Sequence, residues 1–124
     1  MDELDEAERI EAPEAIRTQA VARMTTQLAA WGVALPDTPP LVLDFGLGRF
    51  PSVGLTEVWI ANEAAAGYCG KYLFVDAGQT CPMHHHQHKH ETFFVVQGRV
   101  RIVHGGREVE LGPGGRLAVP PLTR

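Results

Sequence analysis

Cysteine is scarce in this chain: Cys69 and Cys81 are the two among 124 residues. Two are too few for a disulfide framework, and without a secretory signal they read as reduced thiols. No apolar run approaches the roughly 18 to 20 residues that cross a bilayer. The N-terminus (Asp2, Glu3, Asp5, Glu6, Glu8) is acidic where a signal peptide is basic. These absences predict a cytoplasmic protein with no membrane association. A basic excess is missing as well: 11 Lys and Arg stand against 15 Asp and Glu, for a net charge of −4 at pH 7. Nothing there offsets a phosphate backbone, so nucleic acid is not an expected partner. Internal repeats and low-complexity linkers are absent too. What remains, 44% apolar and 21% charged, has the composition of one compact domain.

The chain falls into two unequal parts, an N-terminal helix with its connector over residues 1–40 and a sheet domain over 41–124. From Pro13 onward Ile16, Ala20, Met24, Leu28 and Trp31 recur at three- to four-residue intervals, which predicts an amphipathic packing helix. Pro13 suits its first turn and Gly32 the position just past its end. The acidic stretch Asp2–Glu11 has only a weak apolar stripe and reads either as a short first helix or as a frayed tail. Leu35-Pro36-Asp37-Thr38-Pro39-Pro40 cannot propagate a helix and reads as a stiff connector.

Short apolar runs follow at Leu41–Phe45, Glu57–Asn62, Lys71–Asp76, Thr92–Val96, Arg99–His104, Glu108–Leu111 and Arg116–Val119. Gly, Pro and Asn punctuators separate them, including Gln97-Gly98 and Gly112-Pro113-Gly114-Gly115. Seven short strands with tight turns predict an all-β antiparallel sandwich or barrel. Gly105-Gly106, between Arg101-Ile102-Val103 and Glu108-Val109-Glu110, marks the clearest hairpin.

The chemistry is concentrated in His84-His85-His86-Gln87-His88-Lys89-His90-Glu91, which holds five of the six histidines. A purification tag does not fit, because the histidines are interrupted, internal and flanked by strand sequence. A solvated loop with incidental or loose metal binding is one reading. A built metal site is the other. Alternate residues of a strand share a face, so His84 and His86 can present imidazoles on one side while His85 points away. Glu91, at the start of the next strand, can bring a carboxylate to the same ion. Two imidazoles and one carboxylate form a facial set that leaves coordination positions open.

The spacing of Gly78, His84, His86, Glu91 and Gly98, with five, one, four and six residues between successive members, matches the first motif of the cupin superfamily at every fixed position. The second cupin motif is partly present: Gly106 and Pro113-Gly114-Gly115 resemble its Gly and Pro-x-Gly elements with one residue too many between them. Val119-Pro120-Pro121 is similar to the approach to that motif's histidine, which is not among the residues to Arg124. Within the superfamily the chain resembles the D-lyxose isomerase (D-lyxose/D-mannose isomerase) family from Leu43 onward. The resemblance lies in Asp44-Phe45-Gly46-Leu47-Gly48, Gly54-Leu55, Gly70-Lys71-Tyr72-Leu73, and Gly78-Gln79-Thr80-Cys81-Pro82 leading into His84-x-His86-x-x-Lys89-x-Glu91. After the Glu, Thr92-Phe93-Phe94 departs from the more acidic or Ile-containing stretch of many members.

The resemblance implies a cupin double-stranded β-helix (jelly-roll) barrel with an N-terminal helical arm. It also implies a divalent metal of the manganese type, with Fe, Co, Ni or Zn as alternatives, and aldose–ketose isomerisation of a small sugar through an enediolate. His84, His86 and Glu91 are the expected metal ligands, and Lys89 and Glu91 the expected catalytic residues. Lys89 would stabilise a developing oxyanion or hold a sugar hydroxyl, against its ordinary reading as a solvent-facing lysine. A fourth His ligand and a proton-shuttling acid are implied beyond the second motif. The residues from Leu41 to Arg124 are few for such a barrel with its closing strands. Either truncation just before the fourth ligand or completion of the sheet by a partner chain follows, and truncation is the expectation.

Other functions of the same superfamily stay open: a non-catalytic sugar sensor, or an iron-dependent dioxygenase built on the same facial set. His88 and His90 read as rim residues, His104 as a surface histidine at a hairpin end, and Cys81 as a small packed residue outside the metal's reach. Tyr72, Phe74, Phe93 and Trp59 line a pocket or, as strand aromatics do by default, fill the core. Exposed sheet edges and a helical arm suggest a homodimer.

Overall fold

The computed structural model describes residues 10–82 and 90–121, which fall into two compact units divided between those segments. In the first unit helix α1 runs over Glu14–Trp31. It starts at Pro13, whose extended backbone (φ −56°, ψ 154°) turns the chain into the helix at a position where a missing N–H costs nothing. It ends on Gly32 at φ 70°, where the Gly32 N–H donates to the Ala29 carbonyl and the Val33 N–H to the Leu28 carbonyl. That pair of bonds is a Schellman closure, and Val33 completes it by packing against the cluster that holds Leu28.

Ala20, Met24 and Leu28 form the buried stripe. Trp31, expected to continue it, sits at its margin with 37% of its surface exposed, its ring 6.5 Å from that of Phe74. Of the acidic N-terminal stretch, residues 1–9 lie outside the described residues. Where description begins the chain is extended rather than helical: Glu11 bridges Leu43, and the Ala12 N–H donates to the Val42 carbonyl at 2.9 Å.

Strands β1 (Leu41–Leu43), β2 (Leu55–Glu63) and β3 (Tyr68–Phe74) form an antiparallel sheet in that order. Its register places Val42, Thr56 and Phe74 in one cross-strand row and Val58 with Tyr72 in another. These rows meet α1, where Val42 packs with Ala12, Ala20 and Phe50, and Val58 with Met24 and Leu28. Leu41, Leu43, Leu55, Glu57, Trp59, Lys71 and Leu73 take the opposite face by alternation. The connector is tied down by the Thr38 hydroxyl, which donates to the Trp59 carbonyl at 2.6 Å.

The first strand is shorter than expected. Asp44 accepts the Gly46 N–H on its carboxylate at 2.8 Å, and Phe45 takes φ 57°, so side-chain capture of the backbone ends the ladder at Leu43.

The second unit contains β4 (Glu91–Phe94) paired antiparallel with β7 (Arg116–Val119), and β5 (Val100–His104) paired with β6 (Arg107–Leu111). Gly105 and Gly106 join β5 to β6 with φ 52° and 75°. Positive φ at both central residues is the two-residue turn whose twist suits a hairpin. Exposed Arg99 and Arg101 pair with Glu110 and Glu108 on this hairpin, at 2.7 and 3.5 Å; such solvated pairs add less than about 1 kcal/mol each. All seven expected strands are present, in antiparallel pairs throughout, as an all-β reading requires.

Gly54 is the tightest backbone position in the first unit. A Cβ there would lie 2.6 Å from Phe50 Cδ2 and 2.9 Å from the Leu43 carbonyl oxygen, and a backbone atom cannot swing aside. Gly54→Ala is expected to lower stability by about 1–3 kcal/mol, read as a lower urea midpoint at unchanged slope.

Candidate metal centre

The chain approaches its histidine-rich octet through the loop after β3, and that loop is fastened on several sides. The Gln79 amide is buried and bonded at both ends: its Nε2 donates to the Phe50 carbonyl at 2.6 Å, and its Oε1 accepts the Asp76 N–H at 2.8 Å. The Thr80 N–H donates to the Ser52 carbonyl at 2.9 Å, and the Gly54 N–H to the Thr80 carbonyl at 3.1 Å. Together they make a short parallel bridge between Val53 and Thr80. The Asp76 carboxylate meets Arg23 of α1 at 2.9 Å. Residues 76–80 are thereby held against both the 50–54 loop and the helix, immediately before the expected ligands. Gln79 carries no chemical signature of this role in the sequence, because its partner Phe50 lies 29 residues away.

His84, His86 and Lys89 lie outside the described residues, as does His88. Glu91 is described. It opens β4 opposite Val119, while Phe93 stands opposite Leu117. Glu91, Phe93, Leu117 and Val119 are the half-buried members of the two strands, and Thr92, Phe94, Arg116 and Ala118 the exposed ones. Glu91 is thus the single charged residue on the covered face of this ribbon. His90, one residue earlier, is exposed. Among the described residues no group of three or more His, Cys, Asp or Glu side chains converges as a metal site would.

The remaining candidates separate clearly. Cys81 and Cys69 are exposed. His104 ends β5 opposite Arg107 and is half-buried, on the same side as Ile102. Tyr72 and Phe74 pack against the Met24, Leu28 and Val58 cluster and serve the core. Trp59 is half-buried beneath the Lys71 ammonium.

Residues 72–124, which carry Glu91 and the octet, match the family described as Cupin domain. Across 109 aligned residues, covering 66% of this chain, the sequence is 31% identical to the D-lyxose/D-mannose isomerase of Thermosediminibacter oceani. The chain spans 59% of the length of that relative. No solved structure matches the chain. Among the described residues no helix is long and apolar enough to cross a membrane.

Removing the Gln79 side chain by Gln79→Ala leaves the Phe50 carbonyl and the Asp76 N–H without their partner. The expected cost is about 1–3 kcal/mol. Amide hydrogen exchange is expected to accelerate at Asp76 and Thr80 more than within β5 and β6.

Proposed function

We propose that this chain carries the ligand-bearing part of a divalent-metal-dependent aldose–ketose isomerase, acting on a sugar of the D-lyxose or D-mannose type. The observation that carries the reading is Glu91: a carboxylate at the head of β4, on a face otherwise made of Phe93, Leu117 and Val119. The cupin spacing from Gly78 to Gly98 and the isomerase named among the relatives support the same reading.

The donor set fits a divalent ion. His84, His86 and Glu91 would hold it, two imidazoles and one carboxylate being the mixed nitrogen and oxygen set that suits manganese or iron. When bound, such an ion supplies polarisation of a carbonyl and its neighbouring hydroxyl. Lys89 would donate a hydrogen bond to the oxygen on which negative charge develops. Half-burial opposite Val119 would strengthen the attraction of the Glu91 carboxylate for a cation.

His84→Ala and Glu91→Ala are each expected to abolish stoichiometric manganese binding by the purified chain while its circular dichroism stays that of the folded protein. Metal-loaded protein is expected to interconvert D-lyxose with D-xylulose or D-mannose with D-fructose, and EDTA to stop the reaction. One-to-one metal retained in both variants would overturn the ligand assignment.

A further inference from the structure

A cavity of about 400 Å³ lies between the exposed flank of α1 and the C-terminal end of β3. Arg23 and Asp76 line one end, the Arg23 Nε 2.9 Å from Asp76 Oδ2. Ala30 and Phe74 line the other, where the Trp31 ring stands 6.5 Å from that of Phe74. Ala30 lies about two helical turns beyond Arg23, roughly 10 Å along the axis, and Thr26 and Gln27 fall between them on the same lining. The cavity is thus charged at one end and apolar at the other.

Its polar groups are uncommitted. Thr18, two turns before Thr26 on α1, turns its hydroxyl back to the Glu14 carbonyl at 3.0 Å, as helical threonines do. Among the described residues neither the Thr26 hydroxyl nor the Gln27 amide bonds to protein, and the Arg23 guanidinium meets Asp76 alone. Arg23 and Asp76 keep 53% and 37% of their side-chain surfaces accessible. So solvated an ion pair contributes little to stability, and both charges stay open to a ligand. An anion drawn to Arg23 meets repulsion from Asp76, and a cation drawn to Asp76 meets it from Arg23. A small molecule carrying both charges on neighbouring groups is attracted by each. The volume, near the lower end of the roughly 300–1,000 Å³ of ligand pockets, limits the ligand to a small one.

We propose that this cavity binds a free α-amino acid with an apolar side chain. The Arg23 guanidinium receives its carboxylate and the Asp76 carboxylate its ammonium, while Thr26 and Gln27 donate further hydrogen bonds to the ligand's carboxylate. The apolar side chain lies toward Ala30, against the Phe74 ring. The site shares no residue with the proposed metal ligands.

The test is a heteronuclear NMR titration of the full chain near neutral pH with L-phenylalanine, 3-phenylpropionate and phenethylamine, which carry both charges, the negative alone and the positive alone. L-Phenylalanine is expected to bind with a dissociation constant on the order of 1 mM, the range its size permits, and to shift amides of residues 22–30 and 74–76. Each singly charged analogue is expected to bind at least about tenfold more weakly. Arg23→Gln is expected to weaken L-phenylalanine by about as much. Asp76→Asn is expected to lower the preference for L-phenylalanine over 3-phenylpropionate about tenfold, whereas a merely structural Asp76 would change both affinities together and leave their ratio alone. Both substitutions fall on accessible side chains, where changes in stability are small. If Asp76→Asn nevertheless does not fold, Arg23→Gln and the comparison of ligands on wild-type protein decide the matter. Three outcomes overturn the proposal: no binding by folded wild-type protein at ligand about tenfold above that dissociation constant, shifts centred elsewhere in the chain, or analogues that bind as tightly as L-phenylalanine.

Discussion

From Leu55 to Val58, β2 is covered on both faces, and that desolvation orders the first unit. A strand with no water on either side has to satisfy its backbone groups along its ladders and pair any charge it carries. β1 and β3 supply the ladders, α1 covers one face, and Lys71 answers Glu57 on the other. Thr38 ties the connector to the same strand through the Trp59 carbonyl. The half of β2 beyond Trp59 obeys no such constraint. There the register slips at a bulge between Trp59 and Ala61, and Ile60, Asn62 and Glu63 are exposed.

What could be read from sequence tracks how local its cause is. Gly32 and Gly105-Gly106 announce a helix end and a hairpin because the backbone itself needs positive φ there. Seven strands are legible because apolar alternation and turn residues are properties of neighbouring positions. Phe45 is misplaced by the same logic: its apolar side chain extends the pattern, but the Asp44 carboxylate one residue earlier captures the Gly46 N–H and ends the strand. Trp31 has the right spacing for the helical stripe, and only the extent of the sheet beneath decides that it lies at the edge.

The site divides along the same line. His84, His86, Lys89 and Glu91 stand out because ligand chemistry concentrates within eight residues. Gln79 and Glu57 do not, since each takes its meaning from a partner on another element. An alternating strand pattern assigns a glutamate to the solvent face by default. Only the pairing of β2 with β3 shows Glu57 buried beside Lys71.

The Val53–Thr80 bridge has a consequence for the order in which the chain assembles. It joins segments whose bonded residues, Ser52 and Thr80, are 28 apart, and the whole β2–β3 hairpin lies within the loop it closes. Closing a flexible loop of that length is costly, whereas the same ends come together cheaply once the intervening hairpin stands. The hairpin therefore precedes the bridge. The segment leading to the histidines is therefore expected to be fastened late in folding and released early in unfolding, local opening of this loop freeing the segment ahead of the proposed ligands before the sheet itself gives way.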